Sequence, residues 1–522
     1  MSRTIALLTI IALSAPFATW AQASKTATDN DALRASTRQY VAAHEPAILR
    51  EFTGLLALPN VAADHTNIRR NANLLVASLK KRGVDARLLE FEGAPPTVYG
   101  ELAVPGAKRT VIFYAHYDGQ PVIAAQWATP PWTPTLRNAP LEDGGQPIAL
   151  PIAGAAALGP NTRIYGRSAG DDKGSIMAML AALDALHAAG RKPSVNVKFF
   201  FEGEEEAGSP HIVGILQKYK GLLAADMLLL GDGPVYQNGE QQLLFGVRGD
   251  ADMELTVFGA TRALHSGHYG NWAPNAGVLL ANLIASMRDD DGHIKIDGYY
   301  ADVAPITAAE HAAIKAMPPI DAELRTALGL ARTEANDAPL GERVMMPALN
   351  VRGLDFGAVG EHARNVIPTE AKASFDFRLV PNQTPAHLRE LVTRHIESQG
   401  YFVTAGPVTR EMRLAHARIA QVVWGDGAYP ADRVSMTSPS ARALIRATSD
   451  KAGKPPILVP TSGGSSPNYA FTQTLRVPVI NVPIANYDDN QHAADENLRL
   501  QNLRDGIELY TQIFARLGTV GW

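Results

Sequence analysis

Five short stretches of this 522-residue chain carry side chains suited to metal binding and hydrolysis. They are "AHYDG" with His116 and Asp118, "DDKGS" with Asp171 and Asp172, "FFFEGEEEAGS" with Glu202, Glu204, Glu205 and Glu206, "GDG" with Asp232, and "NQHAADEN" with His492. Four or five carboxylates in one crevice cannot all stay ionised without a counter-charge, and divalent metal supplies it. Imidazole together with carboxylate suits zinc and other first-row metals. Two metals close together would account for the number of ligands and for one shared carboxylate, and such a pair clamps a hydrolytic transition state. One further carboxylate, left unliganded, would take a proton from water and return it to the leaving group. Spacing alone does not say which glutamate has which task. Each motif by itself is ordinary: "GEEE" suits a helix start and "DDKG" an N-cap. Their joint placement at element boundaries is what points to a site.

The elements that must position these residues are legible from hydrophobic period. Residues 30–90 read as helical with polar faces, ending at the Lys80–Lys81–Arg82–Gly83 stop signal. "RTVIFYA" (109–115), "SVNVKFFF" (194–201) and "ADMLLLGD" (225–232) read as buried strands. Between them, 171–190 predicts a one-faced helix with Ile176, Met177, Leu180, Leu183 and Leu186 on its apolar side, and the Pro- and Trp-rich 121–151 predicts a loop. Strands alternating with helices imply a largely parallel sheet covered on both faces. Ligands of such sheets gather beyond the carboxyl ends of the strands, which would bring the five stretches together. From about 245 the pattern changes: "QLLFGVRGDADMELTVFG" and "EAKASFDFRLV" (370–380) alternate with period two, as half-exposed strands do. Helical stretches at 275–289, 319–331 and 385–399 accompany them. After about 430 the α/β pattern returns, ending in an amphipathic helix near 498–517. The expected fold class is α/β: a catalytic domain with a mixed sheet (24–245 and 431–522), interrupted by a smaller α+β lid or dimerisation domain (246–430).

The first 23 residues have a different character. Arg3 precedes the apolar "TIALLTIIALSAPFATW", and "AQA" at 21–23 offers small residues for cleavage, the pattern of a secretory signal peptide. A periplasmic or secreted protein is expected, with no membrane association after cleavage. The chain has no cysteine, so disulfides are excluded despite the expected export. A net charge of −4 leaves no basic footprint for nucleic acid or anionic lipid.

Taken together, "FYAHYDG", "YGRSAGDDKGS", "FFFEGEEEAGS", "LHSGHYG", "FDFRLVPNQTP", "SGGSSP" and "HAADENL" resemble, in order, the motifs of the M20 family of metallopeptidases. The form "EGEEEAGS" and the long interval before "RLVP" are most similar to the carnosinase and cytosolic dipeptidase branch. The resemblance implies two divalent metal ions, zinc or else cobalt or manganese. His116 and Asp232 would hold one and Glu206 and His492 the other, with Asp171 bridging. It further implies Glu205 as general base, Asp118 orienting the His116 ring through its second nitrogen, and Glu202 and Glu204 as solvated or helix-capping bystanders. His265 in "LHSG" would reach the active site of the other subunit of a homodimer and stabilise an oxyanion. Arg378 would grip a substrate carboxylate, and Gly464 and Ser465 would present backbone N–H groups to substrate.

The chain departs from the dipeptidase branch at Ser462, where that branch has a glutamate before "GGS", and around "PADRVSMTS", where it has a further histidine. Both positions concern substrate ends. The implied activity is hydrolysis of dipeptides or short peptides by metal-activated water. The alternatives are an N-acyl-amino-acid deacylase and a catalytically inactive peptide-binding protein.

Overall fold

The computed structural model describes residues 17–522 apart from 155, 451 and 465, with side-chain surroundings from residue 30 onward. The expected leader falls mostly outside the described residues, and so does Ser465. Helix α1 (Phe17–Leu56) passes through the expected cleavage point and is followed by α2 (His65–Lys81), whose first turn is capped by the Asp64 carboxylate accepting from Asn67 N–H. Among the described residues no helix is long and apolar enough to cross a membrane.

In chain order the strands of the two principal sheets are β1 (Asp85–Leu89), β2 (Thr97–Leu102), β3 (Thr110–His116), β4 (Asn196–Glu202), β5 (Met227–Leu230), β6 (Gln242–Leu244), β7 (Gly249–Phe258), β8 (Ala348–Asp355), β9 (Glu370–Leu379), β10 (Phe402–Thr404), β11 (Ile419–Trp424), β12 (Ile457–Val459) and β13 (Val479–Asn481). Among the described residues the larger sheet runs β1-β2-β4-β3-β5-β13-β6-β12. Its centre, β4-β3-β5-β13, is parallel, while β1, β2 and the β13–β6 junction are antiparallel, so the sheet is mixed. The central strands are buried on both faces: Val111 to Tyr114 and Phe199 to Phe201 have no exposed surface. β1 was expected to continue a helix; its "DARLL" alternates, burying Ala86 and Leu89, and pairs at the sheet edge instead.

Helix α3 (Lys173–Ala188) lies on this sheet, enclosed by α1 and by the last helix, Leu500–Arg516. The one-faced helix expected there is buried nearly all round. Its other side is covered by chain hundreds of residues away, which a local period cannot report.

The smaller sheet, β8-β9-β7-β11-β10, lies wholly within 348–424 and 249–258. β7 and β9 alternate buried and half-exposed residues as their period requires, and their inner face packs on Leu280, Leu283, Leu388 and Val392 of two helices. The helix expected over 319–331 is shorter (Asp321–Ala327), and a second, Ala308–Ala316, precedes it.

A further sheet orders Asn497–Arg499, Arg163–Tyr165, Thr135–Arg137 and Pro147–Ile148 side by side. Two of its strands fall in the segment read as loop. They pair with each other as a hairpin, and Thr135–Arg137 also pairs with Arg163–Tyr165 outside the segment, a partner that no local period in the proline-rich stretch announces. By pairing Asn497 with Tyr165, this sheet lays the "HAADENL" segment against the "GRSAGDDKGS" loop.

Candidate active site

Strands β3 and β4 run parallel with His116 opposite Glu202, and Asp232 follows β5 by two residues on the same side of the sheet. The carboxyl ends of three neighbouring strands therefore deliver a histidine, the glutamate turn and an aspartate to one place. Asp171 arrives from the loop before α3, and His492 from the long loop after β13.

Potential ligand atoms of His116, Asp171 and Asp232 lie within 4.8 Å of one another, as do those of Asp171, Glu206 and His492. Asp171 is common to both groups. His116 Nε2 is 2.8 Å from Asp171 Oδ1, and His492 Nε2 is 3.1 Å from both Asp171 Oδ2 and Glu206 Oε2. Gln491 Nε2 donates to Asp171 Oδ2 (2.8 Å) and Gln120 Nε2 to Glu206 Oε2 (2.8 Å).

The carboxylates draw positive charge strongly. Hydrogen bonds with Asp171 and Glu206 push the His492 imidazole up to about 10. Burial opposes ionisation of Asp171, yet His116 beside it holds its carboxyl well below the usual range. Asp232 is balanced less fully: burial, then the Asp171 charge, push it up to about 7 against the pull of His116 and His492, and its Oδ1 has no hydrogen-bond partner among the described residues. A buried carboxylate oxygen without a donor, facing two imidazoles and two further carboxylates, fits divalent cations of the zinc type.

Glu205 belongs to neither ligand group. Burial, Asp232, Asp171 and Glu206 all raise its carboxyl well above the usual range, against the pull of His116. Its place is set by Asp118, which is buried and accepts the backbone N–H groups of Glu205 (3.1 Å) and Glu206 (3.0 Å). The same carboxylate stands 3.5 Å from His116 Nδ1, whose nearest acceptor is the Asp118 carbonyl at 3.3 Å. Asp118 thus ties the end of β3 to the glutamate turn. Glu202 and Glu204 are not solvated bystanders. Tyr114 donates its hydroxyl to buried Glu202 (2.7 Å), and buried Glu204 accepts from the backbone N–H and ring of His211. Glu202, Glu204 and Glu206 turn inward because each has its own donor or ligand group.

Other expected residues lie apart from the two groups. His265 is exposed on a short strand paired with Val366–Ile367, its Nδ1 accepting from Gly267 N–H. Arg378, on β9, is ion-paired with Asp376 (3.0 Å) and Asp250 (3.5 Å). Asp250, Asp252 and Asp376 form a third acidic group, with Arg352 on Asp252 and Arg378 on the other two. Gly464 donates its N–H to Ser462 Oγ and accepts from Arg248 N–H.

The residues that hold the shared ligand in place were not anticipated. Glu496, 1% exposed, accepts from Arg167 Nη1 (2.8 Å) and from the backbone N–H groups of Ser168, Gly170 and Asp171. Asn60 joins the same loop, donating to Tyr117 O and Ser168 Oγ. Lys173, wholly buried, donates to Leu55 O and Leu58 O at the end of α1. Arg167 and Glu496 stand inside motifs read from the sequence, but their pairing needs the sheet that brings 163–165 to 497–499. Glu496→Gln would leave the Arg167 charge buried without its partner. The expected result is a loss of about 3–5 kcal/mol in denaturant unfolding and about 10–100-fold weaker metal binding by titration.

A sequence model of the peptidase family M20/M25/M40 matches residues 112–516. The Cys-Gly metallodipeptidase dug1 of Schizosaccharomyces pombe is 25% identical over 483 residues, covering 89% of this chain and 94% of that protein. The human Beta-Ala-His dipeptidase is 26% identical over 431 residues, covering 81% and 78%. An M20 family metallo-carboxypeptidase of Sulfolobus solfataricus superposes with a TM-score of 0.69 at 28% identity, covering 90% of this chain and 99% of that one. With most of the chain matched and both ligand groups assembled where the motifs meet, the protein belongs to the M20/M25/M40 family of metallopeptidases.

Proposed function

We propose that this peptidase is an exported dipeptidase that uses two divalent metal ions, zinc or else cobalt or manganese, with Glu205 as general base. The observation that carries this reading is Asp171 shared between two ligand groups, with unliganded Glu205 beside them. Metal held by His116, Asp171 and Asp232, and by Asp171, Glu206 and His492, would polarise the scissile carbonyl and acidify water. Glu205 accepts a proton from that water and passes it to the departing amine, a task suited by a carboxyl whose proton affinity its surroundings raise. Asp118 keeps Glu205 and Glu206 in register by holding both their N–H groups.

His265, exposed and a member of neither ligand group, serves a second copy of the chain in a homodimer and donates to the oxyanion there. The exposed Trp272, Val278 and Phe356 of the same inserted segment support such a contact. Segments near 246 and 430, where the two sheets are joined, act as hinges that close the inserted domain over substrate. The apolar leader at the start of the sequence supports export to the periplasm or beyond.

The purified protein, supplied with zinc, cobalt or manganese, should be offered free dipeptides, including Cys-Gly and β-Ala-His, beside their N-acetylated forms, with products read by mass. Metal-dependent cleavage of the free dipeptides is expected. Preference for the N-acetylated forms would replace this reading with a deacylase, and silence under every metal would end it.

Arg378 is assigned to the substrate carboxylate, its guanidinium steadied by Asp376 and Asp250. Arg378→Ala should raise KM for a dipeptide about 10–100-fold, the worth of a charge-assisted hydrogen bond, with a smaller change in kcat. Amidating the substrate carboxylate should abolish the difference between variant and parent. An equal penalty on both substrates would make Arg378 a structural residue.

A further inference from the structure

A cavity of about 690 Å³, a size common for small-molecule sites, is walled in part by segments that adjoin Asp232 and His492 in the chain. One wall is the segment 234–237, which starts two residues past Asp232; another is 459–463; Tyr487, five residues before His492, stands at its edge. The third wall is the inserted segment, through Ile314, Met317, Leu340 and Val344. Most of this lining is aliphatic or proline carbon.

The third wall is built in, not draped. Thr307 and Glu310 form a capping box at the start of helix Ala308–Ala316. Glu310 is also paired with Arg433 at 3.1 Å, both side chains under a tenth exposed. Tyr236 donates its hydroxyl to Pro318 O, joining first wall to third. Thr461 lines the cavity at 2% exposure, and its hydroxyl has no hydrogen-bond partner among the described residues. The cavity presents Asp321 and Glu342 against a single lysine, Lys315, which is unfavourable for a substrate's own carboxylate.

We infer that this cavity receives a long apolar group on the carbonyl side of the scissile bond, so that the enzyme selects substrates bulky and apolar at their N-terminal or acyl end. The inference rests on the proposed reading of the metal site, which fixes where the scissile bond lies. Such a group would come either from a large hydrophobic residue with a free amine or from an acyl chain, and both offer the same apolar surface.

The chain has no cysteine, so Leu340→Cys and Lys315→Cys each place one reporter thiol on the cavity wall. Alkylation by iodoacetamide should slow at least fivefold in one or both variants with L-phenylalanine amide or with octanoate. Protection by the first alone identifies a residue side chain, and by the second alone an acyl chain. Unchanged alkylation with both probes in both variants overturns the inference, whether or not dipeptides are cleaved. In parallel, the kcat/KM ratio of Leu-Ala to Gly-Ala should exceed about ten and fall about tenfold in Leu340→Trp; a ratio near one in both proteins also overturns it. Protection in a protein that cleaves nothing would leave the cavity standing and remove the proposed chemistry instead.

Discussion

Replacing Glu205 with glutamine is expected to lower kcat by about 10²–10⁴-fold, while bound metal and thermal stability stay close to those of the parent. Glutamine keeps the size and the polar end of the side chain but cannot carry the proton. Asp118 binds the backbone of residues 205 and 206, not the Glu205 side chain, so the turn does not depend on the carboxylate being there. The substitution also takes one ionisable carboxyl out of the crowd around Asp232 and Asp171, which argues against any loss of stability. Metal content by mass spectrometry, a melting curve and single-turnover kinetics on one dipeptide check the three parts. Retention of more than about a tenth of kcat would exclude Glu205 as the base, and loss of metal would recast it as a ligand.

Removing metal by chelation is expected to abolish activity and to lower Tm, with the deficit growing as pH rises. The sign follows from the groups left behind. Asp232 is held at about 7 in the fold, above the usual carboxylate value, so the folded chain keeps a proton there that the unfolded chain has lost. Stability from that proton is complete below about pH 4 and disappears as pH passes 7. His492, raised to about 10, adds stability that is complete below about pH 6.5 and is lost on the way to 10. Both trends point the same way, so the bare protein weakens steadily from mildly acid to alkaline pH. Asp171, whose carboxyl is depressed, works in the opposite sense only at strongly acid pH. Restoring zinc at pH 8 should raise Tm on the order of 5 °C, more than the same addition at pH 5.5. A chelated protein that melts later at pH 8 than at pH 5.5 would contradict this account.

The sequence made the strands and their chemistry readable where the signal is local. "TVIFYAH" and "NVKFFFE" are apolar on both faces because both are covered, save Lys198, which donates to Leu222 O and Ala224 O, and each ends where its polar residue meets the crevice. The alternation of β7 and β9 announced a second, half-exposed sheet for the same reason. What escaped was everything settled by distant partners. Ala178, Ala181 and Ala182 of α3 are as buried as Leu180, although nothing in their own period says so. Strand Thr135–Arg137 is held by Arg163–Tyr165 on one side and carries Pro147–Ile148 on the other. Glu202 and Glu204 looked like surface charge until Tyr114 and His211 stood opposite them. Helix Ala308–Ala316 has a legible Thr307–Glu310 capping box, but its role as a cavity wall depends on Arg433, more than a hundred residues later.

The turn between α1 and α2 has a bearing on how this enzyme could be switched off. Every proposed metal ligand lies at residue 116 or beyond, yet Asn60 props the Ser168 side of the loop that carries Asp171, and Lys173 is moored to Leu55 and Leu58. The turn is therefore a keystone lying well ahead of the arch it closes. A single proteolytic nick near residues 57–64 would spare each ligand and the whole of the family-matching span, and still free the loop that carries Asp171. Wherever proteases meet the protein, with no disulfide available as a brace, that turn is where the working life of the enzyme would be decided.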